Sequence, residues 1–499
     1  MSSTRRRGLA LPLALIMAFA LAMPAFAFKT SDPALITLNV PGIVAPIISV
    51  GEVVDGVKFE GLPDGIGIVD GPSAGTATVF VANEQTTVPF FGSRDFSDAS
   101  VTSWTIDTAT GDVIGAAEPL PASAGFLRFC SAAIAGPNEG FSTPVFFVNE
   151  ETNDIVDVPA GAPYGADPAL APQRQGGYSV ILNTETGEFT QVAGLGRLNH
   201  ENTVGLPGYN QIALLTTDDT FSATTSQLYM YLANNESQVW QDQGSLWAFQ
   251  VTRKNGVAVD QYDPFNGAND YLDLGLDDEM QGKFIRVPKE IARGTTGEAP
   301  QDALENWSVA NNVFTFVRLE DVAVDKNNGH VVYVADTGAS RVVPDPATGR
   351  LWRPSGTGLA DNGRIFKFVF NDKNPKKVDS FTVLADGDAP SHPKFVGFTS
   401  PDNLDTSSNS LMVQEDADNA QIWQHKFSDG SWTAVADVVD TGGESSGIVD
   451  ASAWFGAGSW LLDVQAHDLP YVDVDTTSIP GTTIKREEGQ LLWINIPGS

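Results

Sequence analysis

Cysteine and positive charge are both scarce in this chain of 499 residues. Its single cysteine excludes an intramolecular disulfide and a zinc site built from several cysteines. Only 29 lysines and arginines stand against 62 aspartates and glutamates, which gives a formal net charge of −33. Because such a surface repels nucleic-acid phosphates and anionic membranes, we expect neither as a partner and expect cations instead.

Long apolar runs are absent after residue 28, so we expect no membrane insertion, which would need about 20 apolar residues. The one such run, 9–21, follows three arginines at 5–7 and leads to small residues within 25–27. This pattern predicts a signal peptide over 1–27 and a periplasmic or extracellular protein. The arginines also loosely fit a twin-arginine signal, and the sequence leaves the export route open. We expect 28–499 to form a single domain and a monomer.

Helical periodicity is nearly absent, and short Val, Ile, Phe, Leu and Tyr runs alternate with Gly, Asp, Asn, Thr and Pro clusters, which predicts antiparallel strands. One pattern recurs, in which a polar residue opens an apolar strand, a turn follows, and a second apolar strand ends in carboxylates. Its six copies are 64–69 with 78–84, 129–132 with 144–151, 200–204 with 212–219, 318–324 with 331–336, 401–404 with 410–416, and 444–449 with 460–468. The repeat predicts an all-β fold, a six-bladed β-propeller with long inter-strand insertions, the largest over 254–312.

A propeller would bring the carboxylates of all six copies to one mouth of its central channel. Carboxylates this close cannot all stay ionised without countercharge, because each raises the pKa of its neighbours. Calcium suits a site with oxygen ligands only. The alternative is that these acids merely solubilise the ends of loops.

Three features stand out within this pattern. Cys130 occupies a position where other copies have carboxylates, which favours iron or another transition ion, although a buried apolar role is the alternative. Glu150 and Glu151 form an acidic pair in the same copy. Arg318 stands two residues before Glu320, on the same face of a strand. It suits bidentate capture of a phosphate or carboxylate, or else forms a salt bridge to the nearby acids.

Taken in order, these motifs resemble the PhoX family of exported, calcium-dependent alkaline phosphatases. The resemblance rests on Arg-Asp-Phe-Ser-Asp at 94–98, the segment from Cys130 to 149–151, His-Glu-Asn at 200–202, Arg-Leu-Glu-Asp at 318–321, and supporting matches at 363–365 and 400–403. That family is a six-bladed propeller with an axial site of iron and calcium ions. The resemblance implies hydrolysis of small phosphate monoesters.

The resemblance also implies roles for particular residues. Cys130, Glu201 and Glu320 correspond to iron ligands, with the iron ferric, and Arg318 to the catalytic residue that clamps the phosphate. The remaining candidates, for calcium or for the surroundings of the metals, are Glu150, Glu151, Asp321 and Asp402.

Two other functions stay open at the level of sequence. The last copy, 444–448 with 465–468, looks as much like phytase-type and esterase-like propellers, so a calcium-dependent esterase, lactonase or phytase without iron is one alternative. The other is a non-catalytic propeller that binds calcium for stability. The natural substrate cannot be read from the sequence.

Overall fold

The computed structural model describes residues 28–84, 99–152, 155–157, 173–219, 226–339, 343–344, 351–352, 362–474 and 483–499. The predicted signal peptide and the motif at 94–98 lie outside these residues. Within them the chain is all-β, and its antiparallel sheets have a propeller-like arrangement. None of the helices in this described part has the length and apolar character to cross a membrane.

The N-terminal segment leads into unit A, the first of the four-stranded meanders. It contains β1 (Ile36–Leu38), β2 (Ile43–Ser49), β3 (Val53–Val54) and β4 (Val57–Lys58). Unit A consists of β5 (Pro63–Asp70), β6 (Thr76–Asn83), β7 (Ser100–Asp107) and β8 (Val113–Leu120), in that order.

Unit B follows, with a small hairpin inserted after its second strand. The strands of this segment are β9 (Phe129–Ala135), β10 (Val145–Glu150), β11 (Ile155–Asp157), β12 (Gln173–Gln175), β13 (Ser179–Asn183) and β14 (Phe189–Val192). Strands β11 and β12 pair with each other, and unit B has the order β14-β13-β10-β9.

Units C and D belong to one ten-stranded sheet. Unit C is β15 (His200–Gly205), β16 (Ile212–Asp218), β17 (Leu228–Ala233) and β18 (Ser245–Lys254), followed by β19 (Val257–Ala258) and β20 (Met280–Arg286). The remaining strands are β21 (Leu319–Val324), β22 (Val331–Asp336), β23 (Val343–Pro344), β24 (Leu351–Trp352), β25 (Arg364–Asn371) and β26 (Asn374–Asp386). Unit D is β21, β22, β25 and β26, and β20 joins β26 to β18 of unit C.

The insertion over 254–312 supplies β20 and most of the helical structure described. Its two helices are α2 (Lys289–Ala292) and α3 (Pro300–Ala310), preceded by α1 (Glu236–Trp240) in unit C.

Units E and F are completed by strands from the start of the chain. Their strands are β27 (Pro401–Thr406), β28 (Ser410–Glu415), β29 (Gln421–Lys426), β30 (Trp432–Val438), β31 (Glu444–Asp450), β32 (Ser459–Val474) and β33 (Thr483–Asn495), and α4 (Ser452–Phe455) follows β31. Unit E is β27–β30 with β1 on its outer edge, and unit F is β31–β33 with β2. The N-terminal strands thus fasten the last two units to the start of the domain.

Local sequence explains the turn between the third and fourth strands in units A and B. Asp107 and Asn183 each accept hydrogen bonds from the backbone N–H groups two and three residues ahead. Gly111 and Gly187 then adopt positive φ angles of 75° and 72°, which glycine tolerates without steric cost. The two turns therefore have the same side-chain bonding and the same glycine position.

The first strands of the six units surround a central channel. They contact one another in a closed cycle, in the order β5, β9, β15, β21, β27 and β31, with β31 returning to β5. Each of the six predicted strand pairs is present as an antiparallel pair. At one end of the channel a cavity of about 550 Å³ is lined largely by aliphatic side chains such as Ile68, Ile134, Val324 and Val449.

Candidate metal centre

A β-bulge at the start of the first strand is common to units A to E. In each, the opening residue pairs with the last residue of the second strand, and pairing resumes three residues later. Such a bulge redirects the side chain next to it. The residues that follow the opener are Asp64, Cys130, Glu201, Glu320 and Asp402. We call these five the inner ring.

Unit F departs from this pattern. Its register shift lies between Ser446 and Ile448, so Ser446 stands two residues before the resumed pairing, as Asp64 stands before Ile66. A serine therefore occupies the inner-ring position of unit F. Its hydroxyl donates a hydrogen bond to Glu444, two residues earlier, at 3.0 Å.

In units A to E, the last residue of the second strand and the residue after it have different roles. In unit B the last strand residue, Glu150, accepts hydrogen bonds from the backbone of Leu127 and Tyr178 at 2.8 and 3.0 Å. Asp336 and Glu415 accept backbone N–H groups in the same way in units D and E. Glu150, a candidate for calcium or for the surroundings of the metals, is thus bonded to the backbone.

The residue after each of these strands forms a second layer, the outer ring. In units A to E the backbone N–H of this residue donates to the carbonyl of the residue just before the first strand, at 2.9 to 3.0 Å. The outer-ring residues are Glu84, Glu151, Asp219, Thr337 and Asp416. This repeated hydrogen bond fixes the start of the first strand against the end of the second strand.

The two rings meet in four overlapping groups of potential metal ligands, within each of which the ligand atoms lie within 4.8 Å of one another. The groups are Asp64, Glu84 and Cys130; Cys130, Glu151 and Glu201; Glu201, Glu320 and Asp402; and Asp402, Asp416 and Glu444. Because consecutive groups share a residue, they form one continuous band. Of the predicted ligands, Cys130, Glu151, Glu201, Glu320 and Asp402 belong to it.

The surroundings of Glu201 show whether the band suits cations. It is 1% exposed, and within the described residues neither of its carboxylate oxygens has a hydrogen-bond partner. Burial, followed by the negative charges of Glu320 and Glu151, raises the pKa of Glu201 well above its ordinary value. An ionised carboxylate buried in this way needs a partner. Cations fit that requirement, and the two groups that contain only oxygen ligands suit calcium.

Cys130 gives the other two groups a sulfur ligand. Its thiol donates to Asp64 at 3.4 Å, and burial, with the charges of Asp64 and Glu201, raises its pKa well above the usual range. The protein environment alone therefore disfavours the thiolate. A bound transition ion would reverse that preference, because coordination deprotonates a thiol.

Arg318 connects the two rings. Its guanidinium makes a bidentate contact with Asp219, Nε to Oδ1 at 2.8 Å and Nη2 to Oδ2 at 2.6 Å, and Nη2 lies 3.2 Å from Glu320 Oε1. Arg128 has the same place in unit B, since its carbonyl accepts the N–H of Glu151 as that of Arg318 accepts Thr337. The salt bridge that the sequence left open as the role of Arg318 is therefore present, and the Arg318 side chain remains 23% exposed.

Asp321 and His200 lie outside the four groups. Asp321, a candidate for calcium or for the surroundings of the metals, accepts hydrogen bonds from the backbone of Val322 and Leu404 at 2.6 and 2.9 Å and from the Asn202 amide. Burial raises its pKa to about 7. The His200 ring is fully buried between a threonine hydroxyl and a backbone carbonyl, and burial lowers its pKa to about 4. Both residues link strands and contribute no ligand atom to the groups.

Several residues at the channel mouth were not among the predicted site residues. They are Asp64, Glu84, Asp416 and Glu444 of the band, and Asp219, which contacts Arg318 beside it. All five lie in the six repeated segments. Aligning those segments on the bulge would have found four of them, because only Glu444 departs from the ring positions.

No protein-family model and no curated protein matches the chain. Among solved structures it is similar to Kuenenia stuttgartiensis hydrazine synthase, with 9% identity over 82% of this chain and 83% of that chain and a TM-score of 0.37. It is also similar to U3-55K, with 9% identity, 88% and 97% coverage and a TM-score of 0.36. The WD40 repeats of RRP9 give 8% identity, 87% and 96% coverage and a TM-score of 0.35. Likeness this slight carries no argument about function, and the resemblance to the PhoX family stays a prediction.

Proposed function

We propose that the protein is an exported, metal-dependent phosphatase of the PhoX type that hydrolyses phosphate monoesters. One observation carries the proposal: Cys130, Glu201 and Glu320, which come from three different units, lie in one continuous band of potential ligands beside the guanidinium of Arg318. Few other functions would need a thiol, clustered carboxylates and an arginine in one place. The predicted leader over 1–27 supports export.

We also infer that the fold is a six-bladed propeller. The ten-stranded sheet divides into two four-stranded meanders, units C and D, joined through β20. The six first strands contact one another in a closed cycle. Counting units C and D as two blades gives one blade for each copy of the sequence repeat.

The donor atoms suggest how the metals would be divided. Following the resemblance, Cys130, Glu201 and Glu320 would hold iron, with Glu201 shared between the group of Cys130 and the group of Glu320. The oxygen-only group of Asp402, Asp416 and Glu444 would hold calcium. Bound cations of this kind polarise phosphoryl oxygens and stabilise the negative charge that develops during transfer.

The protein's own contribution is to bind and orient the phosphoryl group. Cations on the band would neutralise Asp219 and Glu320, the two carboxylates that Arg318 contacts. The planar guanidinium would then be able to hold two phosphoryl oxygens and to stabilise the transition state. Because the surrounding carboxylates are buried, these interactions act with little screening by water. Cys130 has a raised pKa and is assigned to metal binding, so it is not the nucleophile.

The decisive experiment measures hydrolysis of para-nitrophenyl phosphate at alkaline pH, with and without calcium, together with the bound metals. We expect activity that requires calcium, and iron in the purified protein with the visible absorption of ferric thiolate. Cys130→Ser should lose both the iron and the colour. Protein that contains its metals and does not hydrolyse phosphate monoesters would contradict the proposal.

A calcium-dependent hydrolase without iron is the second candidate. It is favoured by the two groups that contain only carboxylates, because these need no transition ion. Such an enzyme would cleave esters, lactones or phytate, would be colourless, and would keep its activity in Cys130→Ser. Iron content and colour therefore separate the two candidates before any substrate is known.

A further inference from the structure

Asp463 is an unexplained buried acid outside the four groups. It lies in the middle of β32 in unit F and is fully buried. No described residue gives a hydrogen bond to either of its carboxylate oxygens. Since burial of an unpaired carboxylate is costly and native proteins rarely leave one unsatisfied, Asp463 requires a partner.

The strand register relates Asp463 to the inner ring. Asp463 pairs directly with Ser446, the serine that occupies the inner-ring position of unit F. Directly paired residues on antiparallel strands present their side chains on the same face. Unit F thus lacks a carboxylate at the ring position of its first strand and has one opposite, on its second strand.

This face of unit F is turned towards Asp64 of unit A. Gln465, two residues after Asp463, donates from Nε2 to Asp64 Oδ2 at 3.0 Å. A Cβ atom at Gly447 would lie 2.2 Å from the backbone oxygen of Asp64 and 3.0 Å from Asp463 Oδ1. These two oxygens therefore lie close together, on the side of Gly447 where a side chain would stand. In the described structure Asp64 Oδ1 also has no hydrogen-bond partner.

We propose that Asp463 and Asp64 form a further cation site at the seam between units F and A. Its ligands are the Asp463 carboxylate, Oδ1 of Asp64 and the Asp64 backbone carbonyl. This set of oxygens, with two carboxylates, suits calcium. The bound ion links the last unit of the cycle to the first, so its role is to stabilise the closed ring. The inference does not depend on hydrolytic activity.

The test compares Asp463→Asn with the wild-type protein in calcium stoichiometry and in melting temperature. We expect the variant to bind one calcium ion fewer per chain and to lose part of the rise in melting temperature that calcium produces. In chelator its melting temperature should equal or exceed that of wild type, because the substitution removes a buried acid. Unchanged stoichiometry with the full calcium-dependent rise would overturn the proposal and identify Asp463 as a protonated acid.

Two further variants keep the test decisive if Asp463→Asn does not fold. Ser446→Asp adds a carboxylate on the same face and should strengthen calcium binding and enlarge the calcium-dependent rise. If Ser446→Asp lowers the melting temperature equally with calcium and with chelator, that result would argue against a cation at the seam between units F and A. Asp336→Asn is the matched control, because Asp336 is equally buried but bonded to backbone N–H groups. It should lower the melting temperature equally in both conditions and leave the calcium count unchanged.

Discussion

The two halves of the channel mouth differ in charge. The arginine arc, from units B to D, consists of Cys130, Glu151, Glu201, Asp219 and Glu320 with Arg128 and Arg318. The acid arc, from units E, F and A, consists of Asp402, Asp416, Glu444, Asp463 and Asp64. Arg318 neutralises part of the first arc directly. The pKa of Glu444 is raised by burial and then by the carboxylates Asp416, Asp402 and Asp64.

This contrast suggests a division of labour around one ring. A guanidinium among carboxylates lets the arginine arc receive an anionic substrate once cations are bound. None of the five members of the acid arc is positively charged, and the positive charge that opposes the raised pKa of Asp402 comes from Arg318 of the other arc. We therefore expect the acid arc to depend more strongly on bound cations. Under the two proposals, the same backbone position serves substrate binding in one unit and structural ion binding in another.

The largest effect should come from Glu201→Gln, on the arginine arc. Glu201 belongs to two adjacent ligand groups, so its loss should weaken metal binding in both. Since even residues that only support a metal ligand alter affinity or activity by about 10–100-fold, we expect more than a hundredfold loss of phosphatase activity. Metal analysis and kinetics measure the change.

Glu150→Gln is the control for this change. Glu150 is also buried, but its carboxylate holds the backbone of Leu127 and Tyr178. The control should lower the melting temperature and keep its iron. Equal loss of iron in the two variants would remove the distinction between the strand-end acids and the ring.

Arg318→Ala should have the next largest effect. Loss of the guanidinium should reduce kcat/KM by about 10²–10³-fold, the range seen when a donor to the transition state is removed. Metal content should stay largely intact, because Arg318 supplies no ligand atom. Arg318→Lys keeps the charge without the planar fork and should recover part of the activity. Unchanged kinetics in the alanine variant would remove Arg318 from the site.

Arg128→Ala should have a smaller effect on the same arc. Burial raises the pKa of Glu84 and of Glu151, and the positive charge of Arg128 opposes both shifts. Its loss should raise KM for a phosphate monoester by about tenfold, equivalent to about 1.4 kcal/mol. Arg253→Ala, at an exposed position of β18, is the control and should leave KM unchanged. A larger loss in Arg128→Ala than in Arg318→Ala would reverse the order of the two arginines.

The smallest expected effect concerns the acid arc and pH. Burial, with neighbouring carboxylates, raises the pKa of Glu444 and Asp64 well above ordinary values. Groups shifted upwards stabilise the fold fully below the ordinary carboxyl pKa near 4, and this stabilisation is lost as pH rises through their folded-state pKa. In chelator the melting temperature should therefore fall by a few degrees from mildly acidic to alkaline pH.

Saturating calcium should reduce or reverse that fall, because the cation replaces protons on the carboxylates. Scanning calorimetry from pH 5 to pH 9, with calcium and with chelator, measures both trends. A metal-free protein that becomes more stable as the pH rises would show that the acid arc is balanced without cations.

The sequence was informative where the repeat itself carried the signal. The polar residue that opens each copy and the carboxylates that end it predicted the paired first and second strands. The same pattern brought Cys130, Glu201, Glu320 and Asp402 into one candidate site. It could not separate Glu150 from Glu151, because the two acids are adjacent at the end of one predicted strand. Side chains alternate between faces, and the bulge changes that alternation near its site.

Contacts between units were also beyond the sequence. Asp321 was a candidate for calcium or for the surroundings of the metals, and it bonds to Leu404 of unit E and to Asn202 of unit C. Arg318 reaches Asp219 across the boundary between units D and C. Neither contact follows from local spacing, because the partners are distant in the chain.

By itself, the amino-acid sequence determined the all-β class, the repeated strand pairs and the concentration of acid at the strand ends, because alternation of apolar residues and turn chemistry are local properties. Only the tertiary structure decided which acids face the channel, which hold backbone N–H groups, and that unit F has serine in the ring with Asp463 behind it. Those choices depend on bulges and on contacts between neighbouring units, and both arise only when the strands pack around a common axis.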